Sequence, residues 1–253
     1  MMLRKLLILI IAVLIAAPAV MGQSQSGTRS SSDSDMSVEE AYLQDAIEMM
    51  IIRETSRTDS REQKLIALDY IENALERGST NDEIRITLEF LSLEGTQNQV
   101  RERGRLMNDY PEVRRQAARH LGTLGTPQAK AALIRICANE NEPMVLQEAV
   151  KSLGTIGTND NDDAINAIVW ITNRFNNTTA PDNLLALAAV DSIEKIAQKN
   201  NGIRDPGAIQ LLIRIAEGSY VQPVKERARQ AILNLRKYTA QGMREANQQQ
   251  TNR

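Results

Sequence analysis

A chain of 253 residues, of which 42% are apolar, is long and apolar enough to bury the core of one or two domains. Only 3% of the residues are aromatic, and a single His and a single Cys exclude zinc sites of clustered His and Cys, thiol redox pairs and a disulfide framework. The formal net charge of −2 provides no overall field that would attract nucleic acid.

The amino-terminal segment has the order of a secretory signal peptide. Arg4 and Lys5 precede twelve unbroken apolar residues, and small residues follow them. A membrane-spanning helix needs about 20 apolar residues, so this stretch is short for a span. We therefore interpret residues 1–22 as a signal peptide that is cleaved after Ala19 or Gly22. The alternative is an uncleaved amino-terminal anchor.

The processing signal also bears on the location of the mature protein. A bacterial lipoprotein carries its lipid on a Cys at the cleavage site, whereas the one Cys of this chain is Cys137. It leaves no intramolecular disulfide to form. We therefore expect an exported protein, in the periplasm or outside the cell, with no stable membrane insertion after cleavage. Residues 23–36, almost all Ser, Gln, Gly, Thr and Asp, predict a disordered leader.

An apolar pattern occurs four times along the body of the chain. Its four members are spaced by 4, 4 and 3 residues, and the second member is Ala in every copy. This spacing places the four side chains on one stripe of a helix, and the small Ala lets a neighbouring helix approach closely. The copies are Val113-Ala117-Leu121-Leu124, Val145-Ala149-Leu153-Ile156, Leu185-Ala189-Ile193-Ile196 and Val224-Ala228-Ile232-Leu235.

A second apolar series lies between these helices. Its copies are Ala129-Leu133-Ile136, Ala164-Ile168-Ile171 and Ala208-Leu212-Ile215. Each unit therefore predicts a helical hairpin, and the period of 32 to 40 residues predicts a stack of such hairpins. In the first two units the joint carries Gly122 with Gly125, and Gly154 with Gly157, where a helix C-terminus needs a left-handed residue.

Upstream of the clear repeats the pattern weakens, but it still predicts helices at 37–56, 60–77 and 81–94. Residues 96–110 are the least regular part, because Gly104 and alternating arginines weaken a short helix there. The predicted organisation is a capping helix at 37–58, a degenerate hairpin with a connector at 59–110, helical repeats at 111–238 and a polar tail at 239–253.

The segment 109–125 begins Asp-Tyr-Pro-Glu-Val-Arg-Arg-Gln-Ala-Ala and continues through Leu121-Gly122 to Gly125. It resembles HEAT repeats, especially the HEAT-like repeats of the phycobilisome-lyase group, and the resemblance extends over about residues 60–237. It implies an all-α fold, a right-handed α-solenoid of stacked helical hairpins in a HEAT-like or ARM-like superhelix. The family includes scaffolds, adaptors and a few bilin lyases, so its fold does not determine a function.

The resemblance also implies a polar contact between repeat units. In the family, an Asp in the turn and an Arg at the start of the next helix form a ladder, and Asp109 and Arg114 match that pair. Leu146 and Ala186 stand at the Arg position of the next two units, and Lys225 restores only a charge. Apolar packing is therefore expected to replace most of the ladder.

Two features invite a chemical interpretation that the sequence does not favour. The equivalents of His120 in the other repeats are small residues, Ser152, Ser192 and Ala231, so we expect a buried structural His. Residues 159–163, Asn-Asp-Asn-Asp-Asp, look like the start of a calcium loop, but the Gly and the Glu that such a loop needs further along are missing. We interpret this run as a polar loop that caps a helix.

A group of six arginines lies between Arg101 and Arg119, accompanied by three acidic residues. A solvated helix face is the simpler interpretation, because no aromatic residues are interleaved for base stacking. The alternative is a patch that binds an acidic partner or a polyanion.

Repeat stacks usually bind their partners on the concave face, formed by the second helix of each hairpin. Position 135 lies about 130° around the helix from the packed stripe, taking 100° per residue. Its equivalents are Trp170 and Arg214, and Trp and Arg are common interface anchors. Alternatively, Trp170 folds over the loop at 175–180. The predicted partner-binding residues are Arg135, Asn166, Trp170, Asn173, Gln210, Arg214 and Glu217.

These patterns predict a non-enzymatic, exported scaffold or adaptor that mediates protein–protein interaction in the cell envelope. No catalytic residue, cofactor, metal, nucleic acid or small-molecule substrate is expected. Two alternatives stay open, a lyase-like protein that attaches a cofactor and a polyanion-binding module that uses the patch from Arg101 to Arg119.

Overall fold

The computed structural model describes residues 38–176, 180–203 and 205–251. The predicted signal peptide and the predicted leader lie outside these residues. Residues 42–253 group into one compact unit. The helices of the described residues are α1 (Val38–Ser56), α2 (Arg61–Glu76), α3 (Asp82–Ser92), α4 (Pro111–Leu124), α5 (Pro127–Asn139), α6 (Pro143–Ile156), α7 (Asp163–Asn176), α8 (Asn183–Lys199), α9 (Pro206–Glu217) and α10 (Gln222–Thr251).

The helices stack in two layers. Helices α2, α4, α6, α8 and α10 contact one another in that order and form the first layer, whereas α3, α5, α7 and α9 contact one another and form the second. Each helix of the second layer also packs against the first-layer helix that follows it. The molecule is therefore an all-α solenoid of stacked helical hairpins, and the predicted fold class is confirmed.

The repeated apolar stripes form the core of this stack. All members of the four first-layer stripes are buried except Ile232 in α10, which is half-buried. The second series is buried throughout α5, α7 and α9. A 3.6-residue helical period places every third or fourth residue on one side, so each stripe marks the side of its helix that faces the core. Helix α6 also buries Leu146, Val150 and Ser152 outside its stripe.

The ends of the helices follow from local chemistry. Pro is the first residue of α4, α5, α6 and α9, where its missing N–H costs no hydrogen bond. The Thr126 hydroxyl accepts a hydrogen bond from the Ala129 N–H at 3.1 Å and caps α5. Gly125 and Gly157 follow α4 and α6 with φ angles of 68° and 69°, in the left-handed region that Gly enters without steric cost.

The other Gly of each joint has a different role. Gly122 and Gly154 lie inside their helices, where the neighbouring first-layer helix comes very close. A Cβ atom on Gly122 would lie 2.6 Å from the Ser152 Cβ, and one on Gly154 would lie 2.6 Å from the Ser192 Cα. The first layer from α4 through α6 to α8 is therefore held together by close contact at small residues.

Residues 96–110 contain a β-hairpin instead of a short helix. Strands β1 (Arg101–Glu102) and β2 (Arg105–Leu106) pair antiparallel. The two turn residues, Arg103 and Gly104, have φ angles of 48° and 83°. A two-residue hairpin loop of type I′ requires positive φ at both central positions, and an α-helix cannot continue through residues with positive φ.

Helix α10 extends well beyond the last repeat position. It continues to Thr251, through the region for which the sequence predicts a polar tail from residue 239. No helix in the described ranges combines the length and the apolar character needed to cross a membrane.

Candidate functional site

The seven residues predicted to bind a partner lie on three consecutive helices of the second layer. Six of them are exposed, and Asn173 is half-buried. We call this surface the second-layer face. It consists of Arg135 on α5, of Asn166, Trp170 and Asn173 on α7, and of Gln210, Arg214 and Glu217 on α9.

Trp170 is the largest apolar side chain of this face. The flanking residues Ile168 and Ile171 are fully buried, which fixes the rotation of α7 and leaves Trp170 50% exposed. The Arg174 guanidinium lies 5.6 Å from the centre of the indole ring, within the range of a cation–π interaction. Arg174 also donates a hydrogen bond of 2.6 Å to Asn141 Oδ1. The ring is therefore both accessible and in contact with a cation.

The alternative in which Trp170 folds over the loop at 175–180 falls partly on residues 177–179, which lie outside the described residues. Half of the side chain nevertheless remains accessible. An accessible Trp on a rigid helix is suited to contact a second molecule.

The two predicted arginines beside Trp170 are held by neighbouring helices. Arg135 forms an ion pair of 2.7 Å with Glu89 on α3, and Arg214 donates a hydrogen bond of 2.6 Å to Asn173 on α7. Exposed pairs of this kind contribute about 0 to 1 kcal/mol to stability, and a guanidinium has further N–H donors. Both arginines are therefore oriented while they keep donors for a partner.

Phe90 belongs to the same row but was not predicted. The spacing of Ile84, Leu88 and Leu91 in α3 matches that of the second series, which makes Phe90 the equivalent of Arg135. It is 38% exposed. The row alternates between aromatic residues and arginines across the four second-layer helices α3, α5, α7 and α9, in the order Phe90, Arg135, Trp170 and Arg214.

A buried polar chain joins the degenerate hairpin to the first clear repeat. The Lys64 ammonium lies 3.1 Å from Glu94 Oε2, and Asn108 donates to Glu94 Oε1 at 2.7 Å. All three side chains are buried. Buried charges are tolerated when they are paired and hydrogen-bonded in this way.

Arg114 extends this chain towards the next repeat. Its side chain is 1% exposed, and it donates to Glu140 Oε2 at 2.7 Å, to Asp109 Oδ1 at 2.8 Å and to the Glu94 carbonyl at 3.0 Å. Burial alone would lower the pKa of Arg114, but the hydrogen bonds to Glu140 and Asp109 outweigh it and raise the pKa. The Asp109–Arg114 pair that the resemblance implies is present, and Glu140 is an additional partner that was not predicted.

The predicted patch from Arg101 to Arg119 is smaller than its six arginines suggest, because not all of them are free on the surface. Arg114 is buried, since the register that buries Val113 turns it into the space between helices. Arg119 is paired with Glu72 of α2 at 2.5 Å. The three arginines of the hairpin are exposed, but they lie on a separate element.

The Asp-rich run before α7 is held by a lysine. Lys130 of α5 is buried, and its ammonium lies 2.8 Å from Asp160 Oδ2 and 2.8 Å from Asp163 Oδ2. The hydrogen bond from Lys130 lowers the pKa of Asp160. Among the described residues, no group of three or more His, Cys, Asp or Glu side chains is arranged to hold a metal ion.

His120 and Cys137 are both buried. Burial raises the pKa of the Cys137 thiol to about 12, so the thiol is protonated and unreactive at neutral pH. Burial also lowers the pKa of His120 below its ordinary value of 6.5. The imidazole is therefore neutral at pH 7 and packs as a structural group.

The buried His120 should make stability depend on pH. Because its pKa is lower in the folded state, the unfolded chain gains a proton first as the pH falls below about 6.5, and stability decreases by up to about 1.4 kcal/mol per pH unit. We expect His120→Ser to remove this contribution, since Ser152 and Ser192 occupy the equivalent positions of α6 and α8. Urea unfolding at pH 7.5 and pH 5 measures it. Equal losses in both proteins would contradict the expectation.

Comparisons with known proteins agree with this architecture. Residues 105–174 match the family model of HEAT repeats. A chain from the complex of CpcE and CpcF of phycocyanin lyase from Nostoc sp. PCC7120 is similar in structure, with a TM-score of 0.52 and 18% sequence identity over 86% of this chain and 70% of that chain. Curated protein sequences show no match. At this identity the likeness is one of fold. Residues 105–174 therefore carry HEAT repeats, as their repeat pattern predicts.

Proposed function

We propose that this protein is a non-enzymatic scaffold or adaptor that binds a protein partner through the second-layer face. The observation that supports this most is the exposed Trp170, which stands between arginines at the equivalent positions of α5 and α9. Trp and Arg are enriched among the residues that contribute most of the free energy of binding in protein interfaces.

The rigidity of the face supports the same function. Trp170, Arg135 and Arg214 all project from helices whose opposite sides are buried, so little backbone entropy is lost when a partner binds. The cations beside the indole ring favour a partner surface that carries carboxylates around an apolar side chain. Such a surface would pair with the guanidinium groups and cover the ring at the same time.

We expect Trp170→Ala to weaken binding of that partner by about 2 kcal/mol or more, since interface Trp residues often have effects of this size. The free energy of unfolding should change by less than about 0.5 kcal/mol, as for other surface residues. Capture from cell-envelope fractions identifies the partner, and titration calorimetry then gives its affinity.

A matched control is Met144→Ala, because Met144 is a similarly exposed apolar residue on first-layer helix α6. This variant should bind like the unmodified protein. If Trp170→Ala lowers the melting temperature strongly and leaves binding intact, the indole is part of the core and the second-layer face is not the binding surface.

The fold likeness to a chain of a phycocyanin-lyase complex supports a second candidate, a lyase-like protein that attaches a cofactor. Absorbance of the purified protein distinguishes the two. A band beyond the aromatic region would indicate a bound chromophore and favour the second candidate. A spectrum limited to Trp and Tyr absorption would favour the scaffold.

We also propose that the protein acts outside the cytoplasm. The order of basic, apolar and small residues within 1–22 supports this. We expect mass spectrometry of protein from the soluble envelope fraction to find an amino terminus at Val20 or Gln23. An intact Met1, or tight association with membranes, would contradict export by a cleaved signal peptide.

A further inference from the structure

The carboxyl-terminal end of the stack has an open apolar cleft between α9 and α10. Its volume is about 580 Å³, and its walls include Ile203, Ile209, Ile213, Ile232 and Leu235. The half-buried Ile232, the exception among the first-layer stripes, belongs to this cleft. The cleft is therefore continuous with the hydrophobic core.

Comparison with the preceding repeat shows which kind of element would fill the cleft. Ile209 and Ile213 of α9 are the equivalents of Ile165 and Val169 of α7. Ile165 is 0% exposed, because α9 packs against α7, whereas Ile209 and Ile213 are 40% and 42% exposed. In the described part of the chain no second-layer helix follows α10. The cleft thus lies where the next second-layer helix would pack.

The amino-terminal end of the stack carries a helix with an uncovered apolar stripe. Helix α1 precedes first-layer helix α2, and its Arg53 pairs with Glu83 of second-layer helix α3 at 2.5 Å, which places it beside the start of the second layer. Ile52 faces the core and is fully buried, but Leu43, Ile47 and Met50 are 61%, 49% and 56% exposed. Their spacing of four and three residues places them on one side of α1. Leu43 and Met50 lie opposite the buried Ile52, and Ile47, at the edge of the stripe, also borders a small hollow beside Tyr70 and Asn73 of α2.

We propose that copies of this protein associate head to tail, with the Leu43-Ile47-Met50 stripe of one copy in the α9–α10 cleft of the next. Helix α10 of one copy and α1 of the other would then form a complete hairpin, as each preceding pair does. Such a contact joins two different surfaces, so it can repeat and produce chains of more than two copies. This contact is independent of the second-layer face.

The charges at the two ends support a second copy as the occupant. Glu54 continues the stripe of α1 by one further turn and is exposed, whereas Arg236 lines the cleft. Residues 241–253 are a poor occupant, because Met243 and Ala246 are their only apolar residues apart from Gly242. An apolar stripe with an acidic end therefore meets an apolar cleft with a basic edge.

Cysteine cross-linking in the full chain tests this arrangement. Under mild oxidation, a mixture of the Ile47→Cys and Ile213→Cys proteins should form a cross-linked dimer, and a chain with both substitutions should form a ladder of higher species. Cys137 is 1% exposed and does not take part. The matched control pairs Ile213→Cys with Ile86→Cys, since Ile86 is equally exposed but lies on α3 within the stack. This control should form no cross-linked dimer as a mixture and no ladder when both substitutions are in one chain.

Light scattering over a range of concentrations provides the second test. The molar mass of the unmodified protein should rise with concentration, and Glu54→Arg should shift that rise to at least several-fold higher concentration. Combining Glu54→Arg with Arg236→Glu should restore the rise in molar mass to the concentrations at which the unmodified protein shows it. A constant monomer mass, cross-linking of position 47 to itself in preference to 213, or a ladder in the control would each overturn the proposal. In the first case the cleft would belong to a helix of another protein.

Discussion

Replacement of Arg114 by Leu should lower the free energy of unfolding by about 3 to 5 kcal/mol, the range for removing one partner of a buried ion pair. The reason is the state of Glu140, which is buried and accepts two hydrogen bonds from Arg114. Without the guanidinium, this carboxylate would be left buried without its counter-charge. The smaller volume of the Leu side chain is not the cause of this loss, since Leu146 occupies the equivalent position of α6.

The double variant Arg114→Leu with Glu140→Gln separates charge from packing. It should recover a large part of the lost stability, because it removes the uncompensated charge and keeps an oxygen for the N–H groups of Asn141 and Glu142. Urea unfolding followed by circular dichroism measures all three proteins. A single variant as stable as the unmodified protein would show that the network contributes no net stability.

Gly154→Ala should be strongly destabilising, with an expected loss of about 2 to 3 kcal/mol, in the upper part of the range for overpacked cores. The added Cβ would lie 2.6 Å from the Cα of Ser192 on α8. A backbone atom cannot rotate away, so α6 and α8 would have to separate. Differential scanning calorimetry would record the loss as a lower melting temperature.

Gly207→Ala is the matched control in the first turn of α9. There the added methyl group would meet only the Asp205 carboxylate, at 3.3 Å. Because Ala is the better helix former by up to about 1 kcal/mol, this variant should be as stable as the unmodified protein or slightly more stable. If both variants behave alike, the close contact of the first layer does not contribute as inferred.

The repeat architecture was predictable because one spacing rule determines both burial and helix contact. The 4-4-3 stripe with Ala at its second place identifies the side of each helix that is covered, and the structure buries that side. The hairpin at 101–106 was not predictable in the same way. Its turn places Arg103 at positive φ. A residue other than Gly seldom adopts positive φ, so nothing in the sequence marks Arg103 as a turn position.

In the candidate site, the features within one helix were predictable from the sequence, and the contacts between helices were not. The outward direction of Trp170 followed from the buried stripe of its own helix, and Arg174 could have been found from its spacing of four residues. The pairs Arg135–Glu89 and Arg114–Glu140 connect residues that are 46 and 26 positions apart. Such pairs depend on the distance between neighbouring helices, which a single sequence does not contain.

The close contact at Gly122 and Gly154 has a mechanical consequence for the opposite layer. Close-packed interiors have low compressibility, so the first layer can act as a stiff spine of nearly constant length. Any bending of the stack must then stretch or shorten the spacing of α5, α7 and α9. A partner that bridges these helices through Trp170 would hold that spacing at one value. Binding and curvature would thus be thermodynamically linked, and a change in either would shift the other.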